Sequence, residues 1–163
     1  MNGLLIINTG GTFNKQYNPV NGKLYINKMA TFLETIAKKW MIHFKIINII
    51  GKDSLEITSH DRLELLTTIH QAKEQKIIVV HGTDTMHTTA TYLDDAKLQK
   101  CIVLTGAMVP YSIDPVEATA NFSSAYGFLY TLERDGIYIA MNGIISPFNK
   151  ITKDRNEGKF VQQ

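Results

Sequence analysis

The sequence predicts a doubly wound α/β fold, in which a mainly parallel sheet of about five strands lies between two layers of helices. The first observation is a set of five short runs of apolar or β-branched residues, each of strand length. Such runs are typical of strands buried on both faces, as in a parallel sheet covered by helices. The second observation is that segments with helical spacing alternate with these runs, which favours strand–helix–strand units. The runs cover residues 4–7, 42–49, 77–80, 102–104 and 137–140.

Three segments between the runs carry apolar residues at three- and four-residue spacing, and each predicts a helix. In the second segment the stem of Lys73 can extend along the edge of the apolar stripe. Ser59 is expected to cap that helix without a full capping box, and Asp114-Pro115 to open the third. Together these elements predict a three-layer αβα arrangement of flavodoxin-like topology. The stripes are Met29, Phe32, Leu33, Ile36 and Trp40; Leu63, Leu66, Ile69 and Lys73; and Ala118, Phe122, Ala125, Leu129 and Leu132.

Two polar segments fit neither pattern. Residues 14–23 are rich in Asn, Gly and Lys and are expected to form an exposed loop or an irregular hairpin. Residues 149–163 are polar and charged, and we expect a loose end or a segment that docks at the functional site or at a subunit interface. We expect residues 1–163 to form one domain, because the sequence shows no linker, internal repeat or low-complexity stretch.

The composition narrows the classes of function. The chain has 163 residues, of which 44% are hydrophobic and 20% charged, and a formal net charge of +2. A basic excess this small predicts no nucleic-acid partner, and no apolar run approaches the roughly 20 residues of a membrane-spanning helix. The run at 4–7 lacks the basic flank of a signal peptide, so we expect a cytoplasmic protein. The single Cys101 excludes an intrachain disulfide and any cysteine-cluster metal site.

Glycines and hydroxyl side chains follow every predicted strand. In open α/β sheets, ligands bind beyond the carboxyl ends of the strands, so these segments are the expected site. A threonine hydroxyl becomes a nucleophile when a base or a nearby cation activates it, and Lys153 and Lys15 are candidate cations. Asp84 can hold such a lysine or bind a substrate ammonium. The amides of Gly10-Gly11 or Gly82-Thr83 can stabilise an oxyanion, which completes the parts of an amide-hydrolysis site.

Simpler interpretations of the same segments remain open at this point. Residues 9–12 can be an ordinary strand-to-loop turn, because glycine is a usual turn residue. Residues 81–85 can be a helix start, with Asp84 or Thr85 capping free amides. His81, Asp84 and His87 have no recognised metal-ligand spacing, so we expect no metal ion and no cofactor.

Three segments resemble the bacterial-type L-asparaginase family. They are Thr-Gly-Gly-Thr-Phe at 9–13, Val-His-Gly-Thr-Asp-Thr-Met at 80–86 and Val-Leu-Thr-Gly-Ala-Met at 103–108, in that order. This family also includes glutaminase-asparaginases and the amidase subunit of an archaeal-type glutamyl-tRNA amidotransferase. The resemblance covers nearly the whole chain and corresponds to the N-terminal domain of the usual two-domain enzyme. It implies a cofactor-free amidohydrolase that acts as a homo-oligomer, a dimer or a tetramer.

The resemblance also implies roles for individual residues. Thr12 falls at the position of the threonine nucleophile, and Thr83, Asp84 and Lys153 fall at a polar relay that assists proton transfer. Ser54 falls at a ligand of the substrate carboxylate, and Asp84 also at a ligand of its α-ammonium. Tyr17 is a looser match to a tyrosine of a closing lid. The remaining positions expected to contact substrate are Gly11, Leu55, Gly82 and Ala107.

The leading functional hypothesis is the hydrolysis of L-asparagine, or a related small amide, to aspartate and ammonia through an acyl-threonine. Three departures from the family pattern motivate alternatives. Leu55 stands where many members have a polar residue, Glu56 replaces the more usual Asp, and the sequence ends soon after Lys153. The alternatives are a catalytically impaired amino-acid-binding domain, and a glutaminase or amidotransferase-type subunit that depends on a partner.

Overall fold

The computed structural model describes residues 3–163 and contains a six-stranded central sheet, four helices and two small hairpins. The sheet strands are β1 (Leu4–Gly10), β4 (Lys45–Lys52), β5 (Lys76–Val80), β6 (Cys101–Thr105), β7 (Gly136–Met141) and β8 (Ile144–Pro147). The hairpins consist of β2 (Lys15–Asn18) with β3 (Lys23–Ile26), and of β9 (Ile151–Asp154) with β10 (Lys159–Gln162). The helices are α1 (Thr31–Trp40), α2 (Ser59–Gln71), α3 (Met86–Asp95) and α4 (Pro115–Thr131).

The central sheet confirms the predicted fold class. Its order is β4-β1-β5-β6-β7-β8, and every neighbouring pair is parallel except the last. The first five strands therefore have the flavodoxin-like order, in which the chain reverses its direction of travel across the sheet between β1 and β5. All five predicted runs lie in these strands, although β4 begins at Lys45 rather than at 42. β4 begins later in the chain than predicted because Met41 ends α1 in the left-handed region, with φ 56°.

The sixth strand was not predicted. β8 pairs antiparallel with β7 across a tight turn at Asn142-Gly143, where both residues have positive φ (53° and 77°). Asn-Gly is the dipeptide that favours this type of two-residue hairpin turn, so the signal was present in the sequence. The added strand closes one edge of the parallel sheet.

Two apolar cores cover the two faces of the sheet, which gives the predicted three layers. Alternate strand residues point to opposite faces, so Leu5 and Ile7 join one core while Ile6 joins the other. The first core packs α2, α3 and the β9–β10 hairpin on the sheet, and the second packs α1 and α4.

The predicted cap of α2 was wrong, and the predicted stripe was right for Ile69, which is buried, and Leu66, which packs on the same core, but not for its other two residues. Thr58, not Ser59, is the N-cap, and Asp61 completes a capping box with it. The side chains buried on α2 are Asp61, Arg62, Leu65 and Ile69, whereas Leu63 is 49% exposed and Lys73 lies beyond the helix end. The buried face of α2 differs from the predicted one because it includes Arg62, whose guanidinium donates to Thr89 and to the Ile57 carbonyl. A search for apolar residues alone does not identify a buried arginine.

The other helices agree with the sequence-based predictions to different degrees. α4 begins as predicted, with the Asp114 side chain accepting from the Val116 amide and Pro115 in the first turn. Ala118, Phe122, Ala125 and Leu129 are all buried along it. α3 follows the helix start that residues 81–85 left open, but no apolar stripe predicted it, because its buried residues include Thr89 among apolar ones. Within residues 3–163, no helix combines the length and the apolarity needed to cross a bilayer.

The C-terminal hairpin is anchored by two buried apolar side chains. Ile151 and Phe160 belong to the core on the α2–α3 face of the sheet. Phe160 is directly opposite Lys153 in the β9–β10 register, and its amide donates to the side-chain oxygen of Asn142 at 2.8 Å. The polar segment 149–163 is therefore packed on the sheet in this structure.

We expect Phe160→Ala to lower the free energy of unfolding by about 3–5 kcal/mol, because it removes a fully buried aromatic ring. The matched control is Val161→Ala on the same strand, whose side chain is only half-buried. Urea denaturation followed by circular dichroism measures both. An equal loss in the two variants would contradict the anchoring role of Phe160.

Candidate active site

The candidate site lies at the topological switch point of the sheet. The loops that follow β1 and β5 leave from the carboxyl ends of neighbouring parallel strands, where a crevice is expected. The Thr9 hydroxyl donates to the Val80 carbonyl at 2.8 Å and fixes the two strand ends to each other. Residues 11–12 and 82–84 therefore begin side by side.

Gly11 and Gly82 allow these two loops to touch through their backbones. A β-carbon at Gly11 would lie 2.5 Å from both Cα and N of Gly82, which is closer than such atoms can approach. A β-carbon at Gly82 would in turn lie 2.6 Å from Cβ of Ser54. Gly11 also has φ 77°, a conformation that glycine adopts without strain. The loops after β1, β5 and β4 are consequently packed in a row.

A bulge at the end of β4 directs the third loop into this row. Ile50 and Gly51 both have positive φ (65° and 69°), and the β1–β4 register shifts between Asn8 and Gly10. The left-handed conformation is strained for a β-branched residue such as Ile50. The bulge places the Lys52 carbonyl where it accepts from the Gly11 amide at 3.0 Å. Because the Gly11 amide already donates to Lys52, this amide is not free to stabilise an oxyanion, as the sequence had suggested it could.

Thr12 begins a short 3₁₀ turn that two buried neighbours hold in place. Phe13 packs in the core on the α1–α4 face. The Asn14 amide group donates to the Asn8 side chain at 2.8 Å and to the Gly10 carbonyl at 2.9 Å. The Thr12 side chain is half-buried and makes no hydrogen bond within residues 3–163, so its hydroxyl is free for a ligand.

Lys153 joins Thr83 and Asp84. Its Nζ donates to the Thr83 hydroxyl oxygen and to Oδ1 of Asp84, both at 2.8 Å, and its side chain is only 14% exposed. The hydrogen bond from Lys153 holds the pKa of the Asp84 carboxyl below its ordinary value, against the opposing effect of partial burial. The carboxylate therefore stays ionised at neutral pH. A cation next to the Thr83 oxygen stabilises negative charge on it, which is the arrangement needed for proton transfer.

Lys15, the other candidate cation, has a different partner. Its Nζ lies 2.8 Å from Oδ2 of Asp53. Partial burial raises the pKa of the Asp53 carboxyl, but hydrogen bonds from Lys15 and the Leu55 amide outweigh it and leave the pKa below its ordinary value. Lys15 thus forms an ion pair at the rim of the site.

Side-chain amides connect α4 to the hairpin that carries Lys153. Asn121 donates to the Gly106 carbonyl at 3.0 Å and accepts from the Asn142 amide at 2.9 Å. Asn142 then accepts from the Phe160 amide, opposite Lys153. The position of Lys153 is therefore tied to the loop after β6 as well as to the core.

His81 belongs to a buried hydrogen-bonded chain. The Arg62 Nε donates to the Thr89 hydroxyl at 3.0 Å, and that hydroxyl lies 2.9 Å from Nε2 of His81. His81 Nδ1 lies 2.7 Å from the Gly82 carbonyl, which can only accept, so Nδ1 carries the proton and Nε2 accepts from Thr89. Burial lowers the pKa of His81 to about 4, and the imidazole is neutral.

The hydrogen bonds of Thr85 and Thr105 show that these threonines have structural contacts. The Thr85 hydroxyl donates to the Ser54 carbonyl at 2.7 Å and does not cap α3. The Thr105 hydroxyl donates to the Ala140 carbonyl at 2.8 Å. Like Thr9, these threonines use their hydroxyls to join strands and loops.

Within residues 3–163, no cluster of three His, Cys, Asp or Glu side chains is arranged to hold a metal ion.

The remaining predicted site residues lie at varying distances from this centre. Ser54 is buried against Gly82, and Ala107 is buried in the core on the α1–α4 face. Leu55 is 70% exposed on the short turn that follows Asp53. Tyr17 is 59% exposed on β2 opposite Leu24, and the structure does not bring its hydroxyl into hydrogen-bonding contact with the other site residues.

Two residues near the site were missed from the sequence. Arg155 donates from Nη1 to Oδ1 of Asp84 and from Nη2 to the Asp84 carbonyl, each at 3.0 Å. Glu117 accepts from the amides of Met108 and Val109 and so fixes the loop after β6. The sequence signal for Glu117 was its place in the first turn of α4; Arg155 had none, because its contact with Asp84 spans 71 residues.

Comparisons with known proteins give the following likenesses. A family model described as "Asparaginase, N-terminal" matches residues 3–159. A probable periplasmic L-asparaginase of Haemophilus influenzae is 29% identical over 161 residues, which cover 92% of this chain and 46% of that protein. A glutaminase-asparaginase of Acinetobacter glutaminasificans is 26% identical over 167 residues, covering 95% of this chain and 50% of the relative.

A solved structure has the same fold. The crystal structure of a probable cytoplasmic L-asparaginase from Campylobacter jejuni aligns with a TM-score of 0.80 and 22% identity. The alignment covers 99% of this chain and 53% of the other. The chain spans about half the length of the relatives that it matches.

We expect the stability of the protein to fall as the pH drops below about 6.5, because His81 is neutral when folded and gains a proton when unfolded. A pKa lowered from 6.5 to about 4 corresponds to a loss of about 2 kcal/mol between pH 7 and pH 5. Urea titrations across this range should show the loss in the wild type and in His60→Gln, an exposed histidine on α2. His81→Gln should abolish it. An NMR titration that gives His81 an ordinary pKa would refute the explanation.

Proposed function

Because the chain belongs to the asparaginase family through its N-terminal domain, we propose that it is an amidohydrolase that cleaves asparagine or a related small amide. The observation that carries the proposal is the contact of Lys153 with both Thr83 and Asp84. This contact joins the C-terminal hairpin to the loop after β5 and holds a cation, a hydroxyl and a carboxylate in one largely buried cluster.

Thr12 is the proposed nucleophile. Its hydroxyl is free, and it follows Gly11, which packs directly on Gly82 beside Thr83. Attack of the Thr12 oxygen on the amide carbon forms an ester, breaks the C–N bond and releases ammonia. Water then attacks the ester, giving the free acid and regenerating Thr12. This order of steps needs a proton acceptor during attack and a proton donor for the leaving nitrogen.

Thr83, Lys153 and Asp84 are proposed to manage these protons. Lys153 donates to the Thr83 oxygen and leaves the Thr83 proton free to move to another group. Asp84 stays ionised and balances the charge of Lys153. The amides of Gly82 and Thr83 make no hydrogen bond within the described residues, so they are available to a developing oxyanion.

The proposed substrate contacts follow the roles implied by the family. We assign Ser54 to the substrate carboxylate and Asp84 to its α-ammonium, with Gly11, Gly82, Leu55 and Ala107 lining the site. Tyr17 on the exposed β2–β3 hairpin is proposed as a residue of a lid that closes over Thr12. Closure would exclude water while the amide bond is attacked.

We expect Thr12→Ala and Thr83→Ala each to reduce ammonia release from asparagine by at least about a hundredfold, because the two residues act as one unit. Thr35→Ala, an exposed threonine on α1, is the matched control and should retain full activity. A coupled ammonia assay with asparagine and glutamine gives the rates. Full activity in Thr12→Ala would overturn the nucleophile assignment.

A binding domain or a partner-dependent subunit is the second candidate. The exposed Leu55 favours it, because this side chain offers no polar contact to a substrate. Aspartate binding by calorimetry without ammonia release would support a binding domain. Glutamine hydrolysis that appears only with a partner would support an amidotransferase-type subunit.

We propose that the protein acts in the cytoplasm as a homo-oligomer. Exposed apolar side chains on the loop after β6 and the start of α4 favour association, since such patches mark contact surfaces. They include Val109, Ile113 and Val116.

We expect size-exclusion chromatography with light scattering to give at least twice the monomer mass of 18.4 kDa at micromolar concentration. Ile113→Asp with Val116→Asp should shift the protein toward the monomer, because a buried charge opposes association. The exposed pair Thr31→Asp and Thr35→Asp on α1 is the control. A monomeric wild type would contradict self-association.

A further inference from the structure

A chain of three hydrogen bonds connects Arg62 on α2 to the loop after β5. Arg62 Nε donates to the Thr89 hydroxyl at 3.0 Å, and this hydroxyl donates to Nε2 of His81 at 2.9 Å. His81 Nδ1 then donates to the Gly82 carbonyl at 2.7 Å. All four residues are buried. The chain therefore begins between two helices and ends on the loop whose amides are proposed above to serve an oxyanion.

The direction of this chain is fixed at both ends. A guanidinium can only donate hydrogen bonds, and a peptide carbonyl can only accept them. The Thr89 hydroxyl accepts from Arg62 and donates onward, which leaves His81 with its proton on Nδ1. Burial, and to a smaller extent the charge of Arg62, lower the pKa of His81 to about 4, so Nε2 stays a bare acceptor at neutral pH.

Arg62 brings a buried charge to the start of the chain. Its guanidinium donates to Thr89 and to the Ile57 carbonyl, and none of the ion pairs within residues 3–163 includes it. In a medium of low dielectric constant, linked hydrogen bonds polarise one another. The charge of Arg62 therefore strengthens the bonds that lead to Gly82.

The last hydrogen bond acts on the peptide group between Gly82 and Thr83. This peptide is trans, so its carbonyl and its N–H point in opposite directions. The carbonyl faces the His81 ring, and the Thr83 N–H consequently points away from that ring. This N–H makes no hydrogen bond within the described residues. A donor on the carbonyl holds the peptide plane and polarises the N–H, which makes the N–H a better donor to a ligand.

We propose that Arg62, Thr89 and His81 are positioning residues that orient the Thr83 amide toward the oxyanion and strengthen its N–H as a donor. Donors oriented in advance stabilise the charge that develops in the transition state, because they need no reorganisation during the reaction. The three side chains act through the peptide group and need not touch the substrate. The effect on rate rests on the amidohydrolase function proposed above, whereas the state of the Thr83 amide can be measured without turnover.

The experiment replaces the middle link of the chain. Thr89→Val keeps the shape of the side chain without its hydroxyl, whereas Thr89→Ser keeps the hydroxyl. We expect Thr89→Val to lower kcat for asparagine by about tenfold, less than the roughly hundredfold effect of losing a whole oxyanion donor, and to leave KM within about twofold. Thr89→Ser should retain most of the rate. Thr88→Val, at the exposed neighbouring position of α3, is the matched control and should match the wild type.

NMR spectra of isotope-labelled protein measure the chain directly. In the wild type, the His81 ring should carry its proton on Nδ1. The Thr83 amide proton should move upfield in Thr89→Val, because its carbonyl is less polarised, and should stay in place in Thr88→Val. If Thr89→Val does not fold, Thr89→Ala removes the same hydroxyl and should give the same upfield shift.

These measurements separate the inference from the proposed function. If no amide is hydrolysed, the proposed function fails, and the upfield shift of the Thr83 amide still supports the polarised chain. A wild-type ring proton on Nε2 of His81, or an unchanged Thr83 amide in Thr89→Val, overturns the inference. An equal loss of rate in Thr89→Ser also overturns it. So does a Thr89→Val variant that is less stable in urea but keeps the wild-type kcat, because Thr89 then has a structural role alone.

Discussion

The loops that follow β1, β4 and β5 can meet only because Gly11 and Gly82 carry no β-carbons. Gly11 rests on Gly82, and Gly82 rests on Ser54, at separations that any side chain would prevent. The rest of the site depends on this contact, because it sets Thr12 beside the loop that holds Thr83. The strained bulge at Ile50 serves the same contact, since it turns the end of β4 toward the other two loops. The edge of the sheet therefore contributes a packed row of loops to the candidate site, and no single side chain accounts for it.

The C-terminal hairpin contributes the charges. Its apolar residues pack in the core on the α2–α3 face, while Lys153 and Arg155 extend toward Asp84. One short element thus combines packing with electrostatics, and its position is reinforced by the hydrogen bonds through Asn121 and Asn142. At the start of the loop after β5, the neutral His81 donates to the Gly82 carbonyl. Hydrogen bonds from Lys153 to Thr83 and Asp84 and from His81 to Gly82 therefore fix this segment.

Much of this arrangement could be predicted, and the exceptions have physical causes. The five parallel strands were identified because burial on both faces leaves continuous apolar runs. The rule for strand ends identified the segments that contain Thr12 and Thr83, and the family resemblance implied the roles of these two residues. The burial of Arg62 misplaced the stripe of α2, and the threonines of α3 diluted its apolar period. Lys153 was one of two candidate cations in the sequence, its place beside Thr83 and Asp84 was implied by the family resemblance, and Arg155 was missed. Neither contact has a local signal, since each joins residues about 70 positions apart in the chain.

The long reach of these contacts bears on how the site forms during folding. Thr9 bonds to Val80 and Lys153 to Thr83 across separations of 71 and 70 residues. Each contact closes a large loop, and the entropy lost on closing it must be offset by the packing around the contact. The hairpin can dock only after the sheet provides the surface for Ile151 and Phe160. An intermediate with the sheet formed and the hairpin undocked would therefore contain both threonines but no ammonium beside them. The ion pair between Lys153 and Asp84 is thus a marker for the docking of the hairpin on the sheet.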